Sequence, residues 1–161
     1  MGKLTTLAAV LLSLAACTVL DESDSDSDPD QGAPCPEAES PEACSVIAVV
    51  NSERADQGVP ELRFDPALTR AAQAHAADMV ARNYFSHDSP EGSDFSDRAA
   101  AADYQGFATG ENIAQGQRSV QEVMTAWMNS AGHRRNILST GSNEIGVGIE
   151  QRTWVQVFGN H

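Results

Sequence analysis

Thr109 to Leu138 reads T-G-E-N-I-A-Q-G-Q-R-S-V-Q-E-V-M-T-A-W-M-N-S-A-G-H-R-R-N-I-L. Ser119 and Glu122 form an S-x-x-E capping box, and Val123, Met124, Trp127 and Met128 follow at helical spacing. A helix is therefore predicted to start near Val120, bury that face and stop near Gly132. Glu111 follows a glycine and opens a short apolar-flanked run, which places one carboxylate at a strand edge or turn where the backbone comes close to another element. His133 follows another glycine at the end of the helical pattern. The stretch thus delivers a glutamate and a histidine from the two ends of one packed unit.

Downstream, residues 145–149 (I-G-V-G-I) and 153–158 (T-W-V-Q-V-F) read as two strands joined at Glu150-Gln151-Arg152. Glycines at alternate positions bare one face of the first strand, where another backbone or a helix can pack closely. Upstream the pattern is helical. From Ser45 an apolar stripe of Val46, Val49 and Val50 runs toward a stop at Gly58, with Asn51 and Arg54 as a pair expected on the helix surface. A second helix is capped by Asp65 with Pro66 at its first position, and Leu68, Ala72, His75, Ala76 and Met79 form its buried stripe. His75 reads as a core or boundary group outside any site. Asn83-Tyr84-Phe85-Ser86-His87 ends that helix, and Asp88-Ser89-Pro90 is a turn signature. The segment to Tyr104 is polar and then alanine-rich, with a short helix expected over residues 98–103. Helices before and between short strands predict one α+β domain whose sheet is covered on its faces.

The amino end has a different character. Met1 to Lys3 is positive, and residues 4–16 are an apolar run too short to span a bilayer, so residues 1–16 are an export signal. Leu14-Ala15-Ala16-Cys17 resembles the lipobox of bacterial lipoproteins, which implies acylation of Cys17 and a membrane as partner, with an ordinary secretory signal as the alternative. Residues 17–43 form an acidic tether. Nine acids and no basic residue lie between Asp21 and Glu42, too polar a run to offset ordering entropy. With Cys17 lipidated, Cys35 and Cys44 are an even pair in an exported chain, so a disulfide is expected, against free thiols or metal ligands.

Charge narrows the function. The formal net charge is -13, but residues 44–161 hold fourteen acids against nine arginines. No basic cluster of the kind that reads nucleic acid is present, and the acidic leader would be repelled by phosphate.

G-E-N-I-A-x-G, W-M-x-S-x-G-H-R-x-N-I-L, I-G-V-G and W-V-Q-V-F, with V-N-S-E-R, L-R-F-D-P-A-L and Y-F-S-H upstream, resemble the bacterial branch of the CAP superfamily. That superfamily contains cysteine-rich secretory proteins, antigen 5 and pathogenesis-related protein 1, and the likeness runs over residues 44–161. It implies a three-layer α/β/α sandwich and places His87 and Glu111 in a cleft. The strand histidine of the eukaryotic branch falls on Thr153, and the helix acid after the tryptophan has no counterpart after Trp127. His133 is the expected substitute, giving a candidate trio of His87, Glu111 and His133 supported by Asn112, Trp127 and Gln156.

Two imidazoles and a carboxylate suit a divalent metal such as zinc, although the intervals of 24 and 22 residues are no local ligand motif, so the fold must bring the three together. Without metal, Glu111 could orient an imidazole for general acid-base work. Ser86 and Ser130 are the nearby hydroxyls, and no G-x-S-x-G elbow occurs. Arg134, Arg135 and Asn136 are read as complementing a helix end rather than binding an anion. The resemblance leaves a binding module for an extracellular ligand or envelope component as the first reading. A metal-assisted hydrolase of peptide or envelope polymer is its alternative, and lipid carriage ranks last.

Overall fold

The computed structural model describes residues 1–2, 35 and 40–161. Residues 3–16 of the expected export signal, Cys17 and most of the expected acidic tether lie outside the described residues. Among the described residues five helices and four strands follow in the order α1 (Pro41–Asp56), β1 (Arg63–Phe64), α2 (Pro66–Ala81), α3 (Phe95–Ala101), β2 (Phe107–Gln115), α4 (Val120–Met128), α5 (Ala131–Ile137), β3 (Glu144–Glu150) and β4 (Thr153–Asn160). The strands form one sheet in the order β1-β3-β4-β2, parallel only between β1 and β3.

Alternation along the strands divides the apolar residues between two cores. Val155 and Val157 of β4 and Ile113 of β2 pack with Leu68, Ala72, Ala76 and Met79 of α2 and Ala99 of α3. On the opposite face Trp154, Phe158, Ile145 and Val147 meet Val46, Ile47 and Val50 of α1, Val123, Met124 and Trp127 of α4, and Ile137 of α5. The molecule is therefore the expected α+β sandwich, helices on both faces of one sheet. The alternate glycines have the predicted use. A Cβ on Gly146 or Gly148 would overlap the α2 backbone at Thr69 and Gln73, so bare backbone lets α2 lie directly on β3.

Both borders of the sheet are covered by side chains. The amide of Gln73 pairs with the N–H and the C=O of Ile149, imitating a neighbouring strand where β1 has ended. On the other border, Trp127 Nε1 donates to the Ile113 carbonyl and Asn136 Nδ2 to the Glu111 carbonyl.

Helix bounds differ from expectation at three points. α1 starts at Pro41, because Ser40 caps Ala43 N and proline occupies the first turn. Cys44 thus lies inside the helix, where it is joined to Cys35 by the expected disulfide. α3 begins at Phe95, fixed by a reciprocal cap between Asp94 and Asp97. The single helix predicted from Val120 to Gly132 is two: α4 ends at Met128, Ser130 takes an extended conformation, and α5 begins at Ala131. His133 consequently sits within a second helix rather than at the end of the first.

Arg54 also departs from expectation. It is 1% exposed, and its guanidinium donates to the carbonyls of Pro60, Ile137, Ser139 and Ser142. Burial lowers its pKa from the ordinary arginine value. The residue ties α1 to the end of α5 and is a buried anchor, not a surface partner. Asn51 is equally tertiary, exchanging two hydrogen bonds with the Leu62 backbone.

Candidate functional site

Glu111 is placed by its strand. In β2 it shares a face with Ile113, directed toward α2 and α3, and its side chain is 1% exposed. A carboxylate so far from water needs partners for its charge, and both oxygens have one. His87 Nδ1 lies 2.8 Å from Oε1, and Arg98 Nη2 donates to Oε2 at 2.7 Å. Arg98, on α3, also donates to the His87 carbonyl at 2.9 Å and to the Ser93 carbonyl at 2.7 Å. One guanidinium thus pairs with the carboxylate and holds two points of the loop that carries the histidine. His87 itself is 52% exposed. With Nδ1 committed to Glu111, its Nε2 is the ring atom left for a ligand.

His133 arrives from the other layer, where α5 packs along the outer border of β2. Its carbonyl accepts from Asn112 Nδ2, which also donates to Gln156 Oε1, while Asn136 Nδ2 donates to Asn112 Oδ1. Gln156 in turn donates to the Met124 sulfur. This buried amide chain locks α5 against β2 and fixes where His133 stands. Burial, then the neighbouring His87 charge, lowers the His133 pKa. The neutral form of His133 is therefore favoured.

The structure joins His87 to Glu111 directly, whereas His133 hydrogen-bonds to neither and is related to the pair by its charge interaction with His87. Asn112 and Gln156 brace α5 against β2, and Trp127 bonds to the border of β2. Thr153 is buried and accepts from Gln115 Nε2, remote from the pair. Arg98 was not anticipated, and its sequence signal is slight: one cation in an alanine-rich helix. Ser86 Oγ accepts from Asp88 N and so shapes the turn. Among the described residues no serine, threonine or cysteine hydrogen-bonds to the His87 ring.

Zinc ligation needs carboxylate and imidazole lone pairs pointing at one centre, and here each Glu111 oxygen faces a protein donor, His87 Nδ1 or Arg98 Nη2. Among the described residues no group of three His, Cys, Asp or Glu side chains is spaced to hold a metal ion.

Residues 47–158 match the model of the cysteine-rich secretory protein family, abbreviated CAP. The uncharacterized protein YkwD of Bacillus subtilis is 43% identical over 116 residues, covering 70% of this chain and 45% of YkwD. The uncharacterized membrane protein YlbC of the same organism is 30% identical over 113 residues, covering 70% of this chain and 33% of its own. The chain thus spans under half the length of these curated relatives. Among solved structures, an extracellular Bacillus anthracis protein containing an SCP domain aligns with a TM-score of 0.72 and 31% identity, covering 74% of this chain and 40% of that one. An outer surface protein of Borrelia burgdorferi shares the fold, with a TM-score of 0.67 at 21% identity, over 73% of this chain and 90% of its own.

Proposed function

The chain belongs to the cysteine-rich secretory protein family, and on that footing we propose that it is an exported binding module, tethered to the cell envelope through an acylated Cys17, whose cleft receives an extracellular ligand at His87 and His133. Export is supported by the apolar leader, by the Cys35 to Cys44 disulfide, which suits an oxidising compartment, and by likeness to an extracellular Bacillus anthracis protein. The lipobox-like L-A-A-C supports the anchor.

The observation that carries the binding reading is the position of Glu111. Its carboxylate is buried and faces a donor at each oxygen, so it organises the site, and the exposed imidazole of His87 meets the ligand. Neutral imidazoles offer a donor and an acceptor each, which suits a ligand rich in hydroxyls and amides, such as envelope polymer.

A hydrolase is the second reading, favoured by one specific feature. A buried carboxylate on Nδ1 of an exposed imidazole is the arrangement that orients a general base, with water as nucleophile because among the described residues no side-chain hydroxyl engages the ring. The deciding experiment incubates the full chain with insoluble peptidoglycan. Binding without release of soluble fragments, weakened roughly tenfold or about 1.4 kcal/mol in His87→Ala, is the expected result. Catalytic release that Glu111→Gln abolishes with folding intact would make it an enzyme, and neither binding nor release would sink both readings for this polymer.

A further inference from the structure

Close to the Glu111 pair lies a histidine that the binding reading leaves without a task. His75 of α2 is 1% exposed, and its Nε2 lies 3.0 Å from the Ser86 carbonyl oxygen. Its Nδ1 is buried with no hydrogen-bond partner among the described residues. A carbonyl only accepts, so Nε2 carries the proton and Nδ1 keeps a bare lone pair. Burial lowers the ring's pKa, partly offset by the charge of Glu111 and reinforced by that of Arg98, so the neutral ring is the resident form. An unsatisfied buried nitrogen destabilises a fold, and an apolar side chain of similar volume would fill this position without that penalty. What the imidazole supplies and an apolar group cannot is the hydrogen bond to Ser86.

We propose that His75 is a positioning residue for His87, acting through the peptide unit that enters it. The Ser86 carbonyl belongs to the peptide bond before His87, and the His87 carbonyl to the one after. His75 holds the first from α2 at 3.0 Å, and Arg98 holds the second from α3 at 2.9 Å. Two withdrawn donors from different helices thus pin consecutive peptide planes on either side of one Cα. The pinning is needed because the His87 side chain is 52% exposed and has little packing to orient it. Within the turn Ser86 Oγ also accepts from Asp88 N at 3.2 Å, and farther from His87 Tyr84 donates to Asp78 at 2.6 Å and Arg82 forms a bidentate pair with Glu91 at 2.8 and 2.6 Å. They set the loop's path, while His75 and Arg98 set the pose of the residue that meets the ligand. The inference rests on the reading of His87 as the ligand-contacting group.

Long-range proton-nitrogen spectra of the histidine rings, recorded on the full chain at about pH 8 where imidazoles are neutral, test this without any ligand. In the wild type His75 should be protonated at Nε2 and His87 at Nδ1, facing Glu111. His75→Phe should fold yet shift His87 toward the Nε2–H tautomer that free imidazole side chains prefer. His75→Gln, whose amide can donate to the Ser86 carbonyl, should restore the wild-type His87 pattern. An unchanged His87 pattern in folded His75→Phe would overturn the proposal. So would a wild-type His75 protonated at Nδ1, a result that needs no variant and decides the matter even if His75→Phe does not fold. Failure of peptidoglycan binding would leave these spectra untouched, so the two ideas fail separately.

Discussion

Arg98 Nη2 lies 2.7 Å from Oε2 of Glu111, and the two side chains are 11% and 1% exposed. Removing one member of such a pair leaves the other charge buried and uncompensated, a loss of about 3 to 5 kcal/mol. Arg98→Met should therefore destabilise the domain by that order in urea unfolding, with Arg98→Met/Glu111→Leu recovering much of it. If the single variant unfolds at the wild-type midpoint, the pair is not the anchor described above.

Arg54 reaches four carbonyls with one planar group, a fan that the point charge of lysine cannot reproduce. Arg54→Lys should cost about 2 to 4 kcal/mol, since several buried carbonyls lose a donor at once. Hydrogen exchange should quicken first in α5, whose last turn Arg54 holds.

Gly146 and Gly148 face the α2 backbone with no room for a methyl group. Overpacking against main chain cannot be relieved by a rotamer change, so Gly148→Ala should lower stability by about 3 kcal/mol. Thermal melts would expose a mistake here, because a loss well under about 1 kcal/mol means that α2 can lift off the sheet.

The hairpin between β3 and β4 turns at Gln151 and Arg152, with φ of 44° and 67°. Both are left-handed conformations that side chains other than Asn, Asp and Gly adopt at a cost, and Asn-Gly is the pair that two-residue hairpins favour. Gln151→Asn with Arg152→Gly should stabilise the domain by about 0.5 to 1 kcal/mol, read as a higher urea midpoint at unchanged slope.

His75 and His133 both have pKa values lowered from 6.5, in each case chiefly by burial. The unfolded chain therefore binds more protons than the folded one as pH drops through 6.5. Their contribution to stability is complete above that value and is lost on acidification toward the lowered folded values. Urea midpoints between about pH 8 and about pH 5 should fall with this sign, and His75→Gln should flatten the slope. A midpoint that rises on acidification contradicts it.

The architecture was legible wherever one physical signal stood alone. The cap at Ser119, the proline after Asp65 and the alternating glycines of β3 each name a local geometry and have it, except that Glu122 reaches back to Arg118 N rather than to Ser119 N, so the expected capping box is only half formed. The break after Met128 was not legible, because Asn129-Ser130-Ala131 continues a helical pattern that only the packing of α5 along β2 interrupts. Arg54 was misplaced for a related reason: four carbonyls 6 to 88 residues away make burial tolerable, and no helical wheel contains them. At the site, His87 and Glu111 were marked by motif. Arg98 and the positioning role proposed for His75 depend on how the 86–93 loop folds back over α2 and α3, which spacing along the chain does not record.

Sheets that end in bare strands invite copies of themselves to dock and grow. Here Gln73 stoppers one margin at Ile149, while Trp127 and Asn136 stopper the other at Ile113 and Glu111. Crowded copies of the chain would thus find no template for strand exchange at these carbonyls, and Asn136, which helps seat α5 and so His133, doubles as a guard against aggregation.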